Sequence, residues 1–274
     1  MEIAPPLALV LCGGASRGAF EVGFYRALKE LGLRIDFIAG SSIGALNGAY
    51  IAAGMPPGEL ARLWLGIRRR DAIRWNWKGL IQPRDHPGLY TLDTLREFLR
   101  RTLPATRFED LPIPLTITTT DLQLGKAVHW HGPGDIIEPL VASLSLPVFF
   151  APVRIGDHQY VDGGVANNVP LNEAKAFGAR HSLMIQCVCC PSTPGLFVGL
   201  LGILGRSLSI AFDSKYNVDL ERSGETMQIH IVRPALPRQV GLLDFSHTAE
   251  LIETGYRQTL EYFRTQSRHR STAV

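Results

Sequence analysis

Short apolar runs alternate with helix-like spacings along most of this chain. Leu7-Ala8-Leu9-Val10-Leu11 is continuous and apolar, as expected of a strand buried on both faces. Phe20, Phe24, Ala27, Leu28 and Leu31 recur at three- and four-residue intervals and predict a helix, with Gly32 placed to end it. Arg34-Ile35-Asp36-Phe37-Ile38-Ala39 predicts a second strand, and the stretch from Ala45 to Ala53 a second helix closed by Gly54. Further on, residues 58–70 predict a helix ending in Arg68-Arg69-Arg70, and 71–90 a loop containing Pro and Trp. Thr91 is expected to cap a helix reaching about residue 102. Leu115-Thr116-Ile117-Thr118-Thr119-Thr120 is β-branched and strand-like, and Gly125 marks a turn into Ala127-Val128-His129-Trp130, which suggests a hairpin. A helix near 134–145, two strands within 149–162 and a helix from Pro170 to Gly178 follow. The pattern ends with strands at Leu183–Val188 and Gln228–Val232 and a helix over 247–264.

This alternation predicts one α/β domain over residues 1–265, followed by a polar tail at 266–274. Apolar residues at 46% and charged residues at 19% exclude a disordered chain. There is no internal repeat and no low-complexity block. The first residues lack the positive segment of a signal peptide, and no apolar run reaches about 18–20 residues, so no membrane span is expected. A net charge of +3 gives no ground for a nucleic-acid partner. Arg68-Arg69-Arg70, Arg74, Trp75, Trp77 and Lys78 suit either a lipid headgroup interface or a solvated helix end with Trp in the core. The segment from Pro194 to Gly205, apolar almost all round, reads as a buried helix or as a lipid-contacting flap. Cys12, Cys187, Cys189 and Cys190 match no common zinc spacing and read as buried thiols of a reducing, cytoplasmic compartment. His129 and His131 share one strand face, without an evident third metal ligand.

Three stretches carry candidate chemistry. Gly40-Ser41-Ser42-Ile43-Gly44 lies between a predicted strand and a predicted helix, the setting that a nucleophile elbow requires. Taken alone, the pentapeptide is also compatible with a plain turn. Cys12-Gly13-Gly14-Ala15-Ser16-Arg17-Gly18 joins the first strand to its helix. In a right-handed βαβ unit this loop and Ser42 share one edge of the sheet, and loop N–H groups face the space above the serine oxygen. Tyr160-Val161-Asp162-Gly163-Gly164 offers a base, or simply an Asp-Gly turn.

Together, in this order, the three stretches resemble the patatin-like phospholipases in their bacterial-type single-domain form. Ala142-Ser143-Leu144-Ser145-Leu146-Pro147 with its continuation to Pro152, and Asn167-Asn168-Val169-Pro170, are similar to the family as well. The departure is Ala15, where the family usually has a third glycine. The resemblance implies an α/β/α sandwich with a mainly parallel central sheet. It implies a serine acyl hydrolase acting on phospholipids or lysophospholipids, with Ser42 as nucleophile and Asp162 as its base. Gly13, Gly14 and Ala15 would form the oxyanion hole, supported by Arg17, Gly18, Gly40, Gly44, Gly163 and Gly164. It implies neither a metal nor an organic cofactor; the partners are a lipid ester and peripherally a membrane surface. An aspartate with an ordinary pKa of about 4 is a weak base, so Asp162 is expected to be buried and within hydrogen-bond reach of Ser42.

Two other readings stand beside it. One is a Ser–His–Asp esterase using His247, although Ser42 follows only two predicted strands. The other is a catalytically silent lipid- or nucleotide-binding protein, with Asp36 about twenty residues after a Gly-rich loop. The loop does not fit the G-x-G-x-x-G pattern of a dinucleotide site.

Overall fold

The computed structural model of the chain describes residues 3–67, 74–82, 87–187, 196–223, 227–235, 240–241 and 244–271. Strand β1 (Leu7–Leu11) leads through a 3-10 turn (Ala15–Gly18) into helix α1 (Ala19–Glu30). Strand β2 (Phe37–Ser41), α2 (Ile43–Ala52) and α3 (Pro57–Gly66) follow. Then come β3 (Arg74–Trp75), α4 (Trp77–Ile81), β4 (Tyr90–Thr91), α5 (Asp93–Thr102), β5 (Leu115–Asp121) and β6 (Lys126–Trp130). The chain continues with α6 (Ile137–Ser143), β7 (Val153–Ile155), β8 (His158–Asp162), α7 (Leu171–Ala176) and β9 (His181–Ile185). It ends with α8 (Leu200–Ser223), β10 (Gln228–Val232) and α9 (Thr248–Ser271).

The main sheet runs β10-β9-β1-β2-β5, all parallel, and then continues antiparallel through β8 and β7. Every residue of β1, β2 and β5 is buried, so both faces of the central sheet are covered. This is the mixed α/β single domain with a mainly parallel sheet that the resemblance implies. Helices α1 and α9 touch closely at glycines: a methyl at Gly23 would lie 1.9 Å from the Ile252 carbonyl oxygen, and one at Gly255 2.3 Å from that of Phe20.

The register of β5 sets up the site. Ile117 and Thr118 pair with Gly40 and Ser41 of β2, while Thr119, Thr120 and Asp121 pair with Asp162, Val161 and Tyr160 of β8. Strand β6 pairs with all five of these β5 residues and so occupies the opposite edge. Strands β2 and β8 therefore share one edge of β5 and meet end to end. Their C-terminal residues, Ser41 and Asp162, fall on consecutive positions of β5.

Several local expectations differ from the structure. Thr91 lies in β4 and caps nothing; Leu92 precedes α5 and gives no side-chain cap. The 71–90 loop contains structure because Trp75 pairs with Tyr90 and Asn76 bonds both Leu89 and Gly88. The residues from 266 onward continue α9 to Ser271, so no tail begins there. Of the 194–205 segment, residues 196–199 precede α8, which runs far beyond it to Ser223. Arg68-Arg69-Arg70, Cys189, Cys190 and Pro194 lie outside the described residues, as do the side chains of Lys78 and Leu201.

Candidate active site

Ser42 sits between β2 and α2 with φ 54° and ψ −127°, a conformation sparsely populated by non-glycine residues. The turn is tight because α2 starts immediately against β1. A methyl at Gly44 would lie 2.4 Å from the Leu11 carbonyl carbon and oxygen, so only glycine fits. The Ser42 N–H donates to Ser143 Oγ at 2.8 Å, and Ser143 Oγ donates to the Thr118 carbonyl at 2.7 Å. The strained serine is thus tied to β5 through α6.

Ser42 Oγ donates to Asp162 Oδ2 at 2.6 Å. The other carboxylate oxygen accepts from the Gly164 N–H at 2.8 Å, because Asp162 caps the 3-10 turn Gly163–Val165. The Asp162 backbone is held from both sides, its N–H on the Ser145 carbonyl and its carbonyl on Thr120 Oγ1. Asp162 is 3% exposed, and burial raises its pKa from 3.8 to about 6 despite the two opposing hydrogen bonds.

The glycine loop lies over this pair. A methyl at Gly13 would fall 3.0 Å from Ser42 Cβ and 2.5 Å from Asn168 Oδ1. The Gly13 N–H donates to Asn168 Oδ1 at 3.0 Å. Among the described residues, the N–H groups of Gly14 and Ala15 meet no acceptor. Ala15 has φ 51°, so alanine adopts here the left-handed backbone that glycine would take at lower cost. Arg17 is buried and its N–H closes the turn on the Gly14 carbonyl at 3.1 Å. Gly18, Gly40 and Gly163 hold close contacts: methyls there would meet Ile43, Ala45 and the Thr118 carbonyl respectively.

A cavity opens from Ser42, Asp162 and the loop. Its wall is mainly apolar, with Leu95, Phe98, Leu144, Leu146, Phe150 and Phe212 from α5, α8 and the chain after α6. No described histidine lines it. His247 instead lies near Asp244 and Glu250, at 3.7 and 3.4 Å. The arrangement gives the Ser–His–Asp reading no support. His129 lies 3.6 Å from Glu173 and hydrogen-bonds Thr118, away from the cavity. Asp36 accepts the Leu7 N–H below the opposite end of β1, as a structural link and not as a ribose-binding acid.

Sequence reasoning missed two site residues. Ser143 and Asn168 stand in stretches that are similar to the family, but their local sequence assigns neither a role. The available signal was a polar residue inside an apolar helix for Ser143, and an amide next to the Asp-Gly-Gly turn for Asn168.

An α/β domain with a buried serine–aspartate pair under a glycine loop is the class these features define. The family model described as patatin-like phospholipase matches residues 9–175, and the chain belongs to that family. An uncharacterized NTE family protein of Mycobacterium tuberculosis is 32% identical over 184 residues, covering 67% of this chain and 49% of the relative. Patatin-like phospholipase domain-containing protein 6 of Homo sapiens is 29% identical over 185 residues, 66% of this chain and 13% of that protein. The chain therefore spans about half the length of the mycobacterial relative and a small part of the human one. Among solved structures, VipD from Legionella pneumophila aligns with a TM-score of 0.49 at 14% identity, covering 94% of this chain and 66% of that one.

Proposed function

We propose that this domain is a carboxylic ester hydrolase of lipids, of phospholipase A or lysophospholipase type, working through a Ser42–Asp162 dyad. The observation that carries the reading is the 2.6 Å hydrogen bond from Ser42 Oγ to a buried carboxylate that lines a mainly apolar cavity. At neutral pH a carboxyl with a pKa of about 6 is ionised and still basic enough to take the serine proton as Oγ attacks the ester carbonyl. The oxyanion that forms is held by the N–H groups of Gly14 and Ala15. Gly13 joins them only if Asn168 releases its N–H. Asp162 returns the proton to the departing alcohol, leaving an acyl-serine. It then takes a proton from water, which attacks the acyl group, and passes that proton to Ser42 Oγ as the acyl–serine bond breaks and the fatty acid leaves. The apolar wall accommodates the acyl chain and keeps the carboxylate dry.

The exposed apolar side chains before and at the start of α8 support contact with a lipid surface. Leu196 is 92% and Leu200 81% exposed, with Val198 and Ile203 also open to solvent. Twelve residues along, Phe212 of the same helix lines the cavity, about 18 Å away at 1.5 Å per residue. Phe197→Asp with Leu200→Asp should remove vesicle binding and spare turnover of a soluble ester; undiminished vesicle binding would reject this part.

Covalent labelling tests the dyad. A fluorophosphonate ester should phosphonylate Ser42 in the wild type, and mass spectrometry should find the adduct on that residue alone. Labelling should slow sharply in Asp162→Asn. An adduct on another serine, or labelling indifferent to Asp162, would overturn the reading.

A further inference from the structure

Beneath the glycine loop, three buried side chains from separate elements converge. Cys12 follows β1, Glu21 lies in the first turn of α1 and Cys187 comes just after β9. One donor atom from each lies within 4.8 Å of the other two. Both thiols reach the carbonyl oxygen of Ile185, at 3.5 Å from Cys12 and 3.8 Å from Cys187. Asn47 Nδ2 donates to Glu21 Oε2 at 2.7 Å and so orients the carboxyl. Oε1 has no hydrogen bond of regular geometry although Glu21 is fully buried, and the Cys187 thiol and the Cys12 backbone are the groups that face the carboxyl. A buried carboxyl oxygen held only by such weak contacts is poorly compensated, and a cation would meet it.

We propose that Cys12, Glu21 and Cys187 bind a thiophilic divalent cation of the zinc type. Two sulfurs and one carboxylate oxygen are a donor set that zinc accepts, and the Ile185 carbonyl oxygen already faces both sulfurs as a fourth donor. Zinc–sulfur bonds near 2.3 Å and zinc–oxygen bonds near 2.1 Å require the donors to draw in to about 3.5 Å apart. Burial raises the pKa of the Glu21 carboxyl and of the Cys187 thiol above their ordinary values. Ligation uses two thiolates and one carboxylate and brings in two positive charges. The single negative charge that results is offset by the Arg17 guanidinium, whose field already favours the Cys187 thiolate.

The cation would brace the loop that carries the proposed oxyanion donors. Cys12 directly precedes Gly13, and Cys187 packs so tightly on Gly14 that a methyl there would lie 2.7 Å from its Cβ. No spacing rule exposes such a site, because its donors come from positions 12, 21 and 187.

The test uses the full chain, reduced and stripped of metal, titrated with cobalt(II) and separately with zinc chloride. One equivalent should bind, and cobalt should give a thiolate-to-metal charge-transfer band in the near ultraviolet. Zinc should raise Tm. Cys187→Ser and the near-isosteric Glu21→Gln should each weaken binding at least about tenfold. A Cys189→Ser/Cys190→Ser double variant should bind as the wild type does. The proposal is overturned by an absence of binding. It is equally overturned by binding that survives Cys187→Ser and Glu21→Gln, or by binding lost with Cys189 and Cys190. A Cys12–Cys187 disulfide in protein handled under reductant also overturns it.

Discussion

Replacing Asp162 with asparagine should end the chemistry and yet stabilise the fold, by an amount that depends on pH. Burial raises the Asp162 pKa from 3.8 to about 6, against the hydrogen bonds from Ser42 and Gly164. Relative to the unfolded chain, the native state therefore favours the protonated carboxyl. That advantage is complete below pH 3.8 and is lost as pH rises through 6. Asparagine cannot ionise, keeps an oxygen for the Gly164 N–H and turns an amide towards Ser42 Oγ. Linkage then gives the variant an advantage of about 1 kcal/mol at pH 4.5 that grows to about 3 kcal/mol at pH 8. For 274 residues, an unfolding entropy of about 2.1 cal/mol/K per residue converts the larger value to about 5 °C in Tm. Urea unfolding followed by tryptophan fluorescence at pH 4.5, 6 and 8 measures the difference between the two proteins; other groups titrate in both and cancel. A variant no more stable than wild type at pH 8, or a difference that stays flat with pH, would refute the reasoning.

The pH profile of kcat/KM on a soluble ester should rise through about pH 6 as Asp162 ionises and then level; a limb near pH 4 would mean that the carboxyl is not desolvated in the working enzyme. Ser143→Ala leaves the buried Ser42 N–H without its acceptor, which should cost about 1–3 kcal/mol of stability and slow turnover. Wild-type kinetics together with wild-type urea midpoints in that variant would show that the bond positions nothing. Ala15→Gly relieves the left-handed residue, worth about 1–2 kcal/mol, against about 0.5–1 kcal/mol of added chain entropy. It should therefore hold or slightly raise stability and retain activity; a loss above about 2 kcal/mol in urea unfolding would contradict it.

Where local chemistry decides structure, the chain was readable. β1, β5, β6 and β10 fall within a residue or two of their patterns, and Gly32, Gly54, Gly125 and Gly178 all take positive φ at the turns assigned to them. Ser42 and Asp162 were visible for the same reason: each stands at a strand end marked by glycines. What was not readable depends on distant partners. Thr91 looks like a cap because its pairing with Arg74 lies seventeen residues away in the chain. The end of α9 looks like a tail because its residues beyond 264 are mostly polar, which suits an exposed helix as well as a coil. The end-to-end meeting of β2 and β8 is a property of β5 register and has no sequence signature. Ser143, Asn168 and the Cys12–Glu21–Cys187 cluster are equally products of that assembly.

The central claim is that Ser42 and Asp162 act as one catalytic unit. The most direct measurement is ester hydrolysis by purified wild type, Ser42→Ala, Asp162→Asn and the double variant, with folding checked in each. A soluble chromogenic acyl ester would be run beside phospholipid and lysophospholipid vesicles. Wild-type turnover, lost to a similar extent in both single variants and no further in the double, is the result the account predicts. Turnover that survives Ser42→Ala, or losses that simply add in the double variant, would contradict it.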